Sequence, residues 1–286
     1  MPVAIVSDTC HYLPPELVAA SGIQEVSLYV HRGGEAQRER EIVDYSAYYR
    51  ELGSSAELPT TSQPSIGDFL AVYQPLLDAG NQIVSIHLAG GMSGTVRSAE
   101  QARDQLGDAA GRVRVIDSAT ACGGEGMVVL AAAAAARAGA DADAVVARAQ
   151  QARAALKLWF AIDTLEYLRR GGRIAGAQAW LGTALKIKPI LSVESEITPV
   201  ERVRTSRRAF ERLVALLEEC RRDGNDGWVI QHIQAPDEAA ALVARGREIF
   251  GTDPAFVSEV GPVIGTHVGP GLLGAGGIPR DLMFPD

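Results

Sequence analysis

Gln82-Ile83-Val84-Ser85-Ile86-His87-Leu88-Ala89-Gly90-Gly91-Met92-Ser93-Gly94-Thr95 decides the fold class. Gln82–Leu88 is a short apolar run of strand length, bounded by turn residues. The glycine-rich turn Ala89–Gly94 follows, and Thr95–Leu106 then reads as a helix. Strand, tight turn and helix in that order are the repeating unit of a parallel sheet covered by helices on both faces.

The same alternation extends outward. Val3–Val6 reads as a buried strand ending at Ser7-Asp8-Thr9, and Pro14-Pro15-Glu16 opens a helix. Glu25–Val30 is a second strand and Tyr45–Leu52 a helix. Leu58–Ser65 reads as a loop, with Ser65 as N-cap of a helix over Ile66–Leu77. Val113–Ile116 is a strand ending in Asp117-Ser118, Glu125–Ala138 an alanine-rich helix, and Asp141 or Asp143 caps the next helix, through Ala155. Beyond Ala155 the pattern changes. Leu158–Ile162, Lys188–Val193, Ile197–Arg204, Trp228–His232 and Phe256–Val260 read as strands. Thr164–Arg170, Ser206–Arg222 and Pro236–Phe250 read as helices. The expected architecture is therefore α/β with two α/β domains, residues 1–156 around a parallel sheet flanked by helices and residues 157–286 as a second α/β unit.

Composition excludes several classes. A chain of 286 residues that is 47% hydrophobic and 22% charged buries a core without staples. Its net charge of −8 gives no basic footprint for nucleic acid. Cys10, Cys122 and Cys220 are too far apart for a disulfide framework or a zinc knuckle, which suits a reducing cytoplasm. The histidines show no metal-ligand spacing, so no metal is expected. The N-terminus lacks the pattern of a signal peptide, and the longest apolar run, Met127–Ala136, is too short to span a bilayer, so an integral membrane protein is not expected.

In open α/β sheets ligands sit beyond the carboxyl ends of the strands, which directs attention to Ser7–Thr9, Ser93–Thr95 and Asp117-Ser118. Gly269-Pro270-Gly271-Leu272-Leu273-Gly274 matches G-x-G-x-x-G, but too little chain follows for a βαβ unit. Its glycines suit a tight turn beside a ligand or another strand. There is no G-x-x-x-x-G-K-[ST], so the chain has no P-loop. Ser93 lies between strand and helix, and Ser93, Asp117 and His267 follow the order of α/β-hydrolase triads, which keeps a serine hydrolase or esterase as an alternative. Thr95 stands where the elbow pattern requires glycine, and Ser93 could simply begin a helix. Thr60-Thr61-Ser62-Gln63-Pro64-Ser65 places four hydroxyls before a helix, which reads either as a capping loop or as an anion-recognition loop. His267, in Gly265–Gly271, reads as part of a polar turn or as a hydrogen-bonding group beside an oxyanion. Arg169, Arg170 and Arg173, with Arg202, Arg204, Arg207 and Arg208, form two basic clusters that suit either solvent or phosphate.

Taken in order, Ser7-Asp8-Thr9, Thr60–Ser65, Ser93-Gly94-Thr95, Asp117-Ser118, Leu165–Ile174, Ile187–Leu191 and Gly265–Gly271 resemble the DegV family of bacterial fatty-acid-binding proteins. The resemblance spans residues 3–282, as one unit. It implies a two-domain α/β fold with one long-chain fatty acid, such as palmitate, in a tunnel between the domains. It also implies a partner, the ATP-binding subunit of a fatty-acid kinase, which phosphorylates the presented carboxylate for phospholipid metabolism. This chain would then be a lipid-binding subunit with no catalytic residue and no cofactor beyond the fatty acid. By resemblance, Thr61 and Ser93 hold the carboxylate, Ser62, Gly94 and Thr95 lie around it, and His267 sits beside it. Arg170, Arg173, Arg202 and Arg204 resemble residues facing the phosphate or the kinase. Cys122 and the glycine-rich Gly274–Gly277 depart from the family pattern where tunnel width would be set. A carrier or sensor of lipid without a kinase partner is a further alternative.

Overall fold

The computed structural model describes residues 1–55, 58–181 and 187–285. The first half of the chain runs β1 (Val3–Asp8), α1 (Pro15–Ser21), β2 (Gln24–Val26), β3 (Tyr29–Arg32), β4 (Glu35–Arg38), α2 (Tyr45–Ser54), β5 (Thr60–Ser62), α3 (Ile66–Asp78), β6 (Gln82–His87), α4 (Thr95–Asp104), β7 (Val113–Asp117), α5 (Gly123–Arg137) and α6 (Ala142–Ala155). The second half runs β8 (Lys157–Ala161), α7 (Glu166–Arg170), β9 (Lys188–Glu194), β10 (Glu196–Val203), α8 (Ser206–Arg222), β11 (Gly227–His232), α9 (Pro236–Phe250), β12 (Phe256–Glu259), α10 (Pro262–Val268), β13 (Leu273–Ile278) and α11 (Arg280–Met283).

The first sheet is parallel, in the order β2-β1-β6-β7. The second is mixed, in the order β10-β9-β8-β13-β11-β12, with only the β11–β12 pair parallel. A third, small antiparallel sheet, β4-β3-β5, stands apart from both. Helix α5 lies between the two large sheets and is buried from Gly123 to Ala134. Apart from Glu125 it is apolar on every side over this stretch, because it has a sheet on either side and no solvent face there. Its glycines make that approach possible. A Cβ at Gly124 would lie 2.5 Å from Thr120 Oγ1 and 3.1 Å from a Leu158 methyl of β8, and one at Gly126 would lie 3.1 Å from the His11 carbonyl.

The α/β class and the parallel sheet of the first half agree with the sequence reading. Several elements differ from it. Glu25–Val30 is not one strand: Ser27 and Leu28 interrupt it, and its two ends belong to different sheets. Thr60–Ser62 is not a loop but β5, whose Thr61 pairs with Val30. Residues 262–268 form a helix, so His267 is not in a surface turn. The glycine-rich tail contains β13, the strand that joins β8 to β11 in the middle of the second sheet. Glycine is required there by crowding rather than by strand propensity: a Cβ at Gly277 would come within 2.9 Å of the Asn225 carbonyl oxygen. Ser65 does cap α3, accepting from Asp68 N at 3.1 Å while the Asp68 carboxylate accepts from Ser65 N at 2.9 Å.

Candidate functional site

The carboxyl ends of β1 and β6 are tied together by Asp8. Its carboxylate accepts from Cys10 N at 2.9 Å and Leu88 N at 3.0 Å and pairs with His87 Nδ1 at 3.1 Å, all fully buried. This fixes the start of the 89–94 turn, which Ala89 N anchors further by donating to the Thr120 carbonyl. At the end of the turn Ser93 Oγ lies 2.9 Å from Thr95 Oγ1 and accepts from Thr95 N. Gly94 stands at the N-cap of α4 without a side-chain cap, and the Gln63 side chain presses against it: a Cβ there would lie 3.0 Å from Gln63 Nε2. Gln63 thus joins the 60–65 segment to the 89–94 turn.

Between the sheets lies a narrow, largely enclosed chamber. Both halves of the chain line it. Leu28, Leu88, Phe160, Leu168, Val263 and Ile264 supply apolar wall, whereas Thr61, Ser93, Arg173 and His267 bring in the polar groups. These polar residues converge. Thr61 Oγ1 and His267 Nε2 are 2.7 Å apart, Arg173 Nη1 donates to Gly171 O at 2.7 Å, and Arg173 Nε approaches the Met92 carbonyl at 3.4 Å. A second, more open space shares Thr61, Arg173 and His267 with the chamber and adds Thr60 and Arg170. The Thr61–His267 pair therefore stands between an apolar chamber and a basic recess.

Burial, and then the Arg173 guanidinium, push the His267 pKa down to about 4, so its imidazole is neutral near pH 7. Nδ1 is buried with no hydrogen-bond partner among the described residues, and a side chain at Gly171 would collide with it. An orphaned N–H is costlier than an orphaned lone pair, so the proton belongs on Nε2, which donates to Thr61 Oγ1. The Thr61 hydroxyl hydrogen is then free for an acceptor in the chamber.

Of the sequence-proposed residues, Thr61, Ser62, Ser93, Arg173 and His267 border the chamber and Arg170 borders the recess. Gly94 and Thr95 form the turn behind Ser93, with Thr95 fully buried. Ser62 Oγ is engaged by His31 Nε2 at 2.8 Å. Arg202 stacks on Trp180 at 5.4 Å and, like the exposed Arg204, lines neither space. The hydrolase triad is not assembled. His267 Nε2 faces Thr61, Ser93 Oγ faces Thr95, and the Asp117 carboxylate accepts from Gly90 N and Ala119 N. Among the described residues no group of three or more His, Cys, Asp or Glu side chains is placed to hold a metal ion. No helix among them is long and apolar enough to cross a membrane.

Sequence reasoning passed over Gln63, Met92 and Gln231, which also border the chamber. Gln63 lies inside a segment already singled out for its hydroxyls, whereas nothing local marks Gln231 of β11. Cys122 does reach the wall. It adopts φ 55°, ψ −135° at the N-cap of α5, and burial pushes its thiol pKa well up, so the thiol stays protonated.

A family model described as uncharacterised proteins of the DegV family matches residues 2–280. Protein DegV of Bacillus subtilis is 35% identical over 280 residues, covering 96% of this chain and 98% of that protein. A DegV family protein from Thermus thermophilus, described with fatty acid binding, superposes with a TM-score of 0.88 at 34% identity, over 97% of this chain and 99% of that one. The Bacillus subtilis DegV structure, described as a fatty acid binding protein, gives a TM-score of 0.88 at 33% identity, over 97% of this chain and 99% of that one.

Proposed function

The chain belongs to the DegV family, and on that premise we propose that it binds one long-chain fatty acid, of the palmitate class, with its tail in the apolar chamber and its carboxylate at Thr61 and Ser93. The observation that carries this reading is the change of character at one end of the chamber, where an apolar wall gives way to Thr61, Ser93, His267 and Arg173. A chain of about 14 methylenes gains roughly 11 kcal/mol on burial. Association costs about 4–15 kcal/mol, so little surplus remains to cover an unpaired carboxylate. The Thr61 and Ser93 hydroxyls prevent that loss, with Ser62, Gly94 and Thr95 as their supports, and the uncapped N-terminus of α4 favours the anion. Neutral His267 holds the Thr61 hydroxyl in its donating orientation, and Arg173 balances charge. On this reading residues 1–156 and 157–286 are the two walls of the site.

The basic recess beyond Thr61 and His267 supports a further step: presentation of the carboxylate to a separate ATP-dependent kinase subunit in the cytoplasm. There a carboxylate oxygen attacks the γ-phosphorus of ATP, the acyl phosphate forms, and ADP leaves with the electrons of the broken bond. Arg170 and Arg173 face the recess and suit a phosphoryl group, because such transfers rest on positioning and charge stabilisation. Arg202 and Arg204 lie on and just after β10 and would meet the partner at its periphery.

Lipid extraction of the purified protein tests the first step. Mass spectrometry should find a fatty acid in stoichiometric amount, and the Thr61→Ala, Ser93→Ala double variant should lose it while keeping its fold. An empty wild-type protein that also fails to take up added palmitate refutes the reading. Incubation with ATP and palmitate tests the second: acyl phosphate should form only when the kinase subunit is added, and its formation by this chain alone contradicts the division of labour.

A further inference from the structure

The helix that carries His267 is held by the other half of the molecule. The Glu39 carboxylate is buried and accepts from Val263 N at 2.8 Å, Tyr12 OH at 2.8 Å and Thr9 Oγ1 at 2.5 Å. Tyr12 OH in turn lies 3.2 Å from the next amide of α10, that of Ile264, and Tyr48 OH lies 2.6 Å from Thr266 Oγ1. Val263, Ile264 and His267 on this helix all face the chamber. We propose that Glu39 is a positioning residue for the head-group site: it clamps α10, and so His267, in the closed arrangement, and loss of its proton loosens the clamp and releases the fatty acid. This inference rests on the fatty-acid reading above.

The surroundings of Glu39 give the direction. Its ionisable neighbours are Asp8, Cys10 and Tyr12 from the end of β1 and the turn after it, Tyr45, Tyr48 and Tyr49 from α2, and Glu125 and Cys122 from α5. None of these is a cation, and no lysine, arginine or histidine forms an ion pair with Glu39 among the described residues. Burial, with a smaller contribution from Asp8, favours the neutral acid and pushes its pKa up to about 7, outweighing the hydrogen bonds from Thr9, Val263 N and Tyr12 that favour the carboxylate. In the neutral acid Oε1 still accepts from Val263 N and Tyr12, and the proton sits on Oε2 towards Thr9. Proton loss inside the clamp is relieved when the clamp opens and water reaches the carboxylate, so rising pH drives opening.

The test follows release of radiolabelled palmitate from the loaded full-length protein into excess lipid vesicles, from about pH 6 to about pH 8. Wild type should release faster as pH rises, by at most about tenfold per unit above the Glu39 pKa. Glu39→Gln, an imitation of the neutral acid, should release slowly and lack this component. Glu39→Ala should release quickly at every pH. Titration of the fatty acid and of His267 is common to all three, so identical pH profiles in wild type and Glu39→Gln overturn the clamp alone. A wild type that takes up no palmitate overturns the fatty-acid reading instead. Amide hydrogen exchange then decides the clamp: protection of Val263 and Ile264 should fall in Glu39→Ala and persist in Glu39→Gln, and equal protection in all three overturns it.

Discussion

Thr61 Oγ1 and His267 Nε2 lie 2.7 Å apart across 206 residues of chain, one on a short strand of the small sheet and the other on α10. The hydrogen bond joins the two walls of the chamber at its polar end. Thr61→Val keeps the shape and removes the hydroxyl. It leaves the imidazole N–H unpaired and deprives a bound carboxylate of a charge-assisted donor worth about 1.5–3 kcal/mol. Fatty-acid affinity should fall at least about tenfold, measured by competitive displacement of a labelled fatty acid.

Gly171 adopts φ −78°, which any residue tolerates, so an alanine there carries no backbone penalty. Its Cβ would nevertheless collide with His267 Nδ1. Gly171→Ala should displace the imidazole, weaken fatty-acid retention and leave secondary structure unchanged. Circular dichroism and lipid analysis check the two halves of this prediction, and undiminished retention contradicts the packing.

His267 also sets a pH dependence. Its folded pKa of about 4 lies below the usual 6.5, so between these values the unfolded chain binds more protons than the native one. Stability from this residue is complete above about 6.5 and declines as pH falls towards 4, by on the order of 3 kcal/mol in all. Glu39 acts with the opposite sign. Its folded pKa of about 7 exceeds the usual 4.5, the native state binds more protons between them, and stability falls as pH rises through that window. Denaturant unfolding of His267→Gln and Glu39→Gln at several pH values should show slopes displaced from wild type in opposite directions. Displacement in the same direction contradicts the assignment.

Asp8 receives two backbone N–H groups and His87 in a fully buried site. Asp8→Ala orphans both amides, each at about 1–3 kcal/mol, and frees the turn that leads to Ser93. Chemical denaturation should register a loss of about 2–5 kcal/mol, and residual folded protein should hold fatty acid poorly. Asp8→Asn keeps one oxygen acceptor and should lose less.

Local sequence determined the repeated strand–turn–helix units of the first half, the cap at Ser65, the burial of α5 and the ordered hydroxyl segments around Thr61 and Ser93. Hydrophobic period and capping chemistry act over a few residues, so they are written where they operate. Three features were decided only by the tertiary structure. The glycine-rich Leu273–Ile278 became a central strand because its neighbours approach too closely for side chains. The segment around His267 became a helix because Glu39, Tyr12 and Tyr48 supply partners for it from far away in the chain. The arginines separated, with Arg170 and Arg173 reaching the site and Arg202 held on Trp180, because sequence adjacency of charge does not fix which face of a sheet it occupies. Each of these outcomes depends on contacts between distant segments, which no short stretch of sequence encodes by itself.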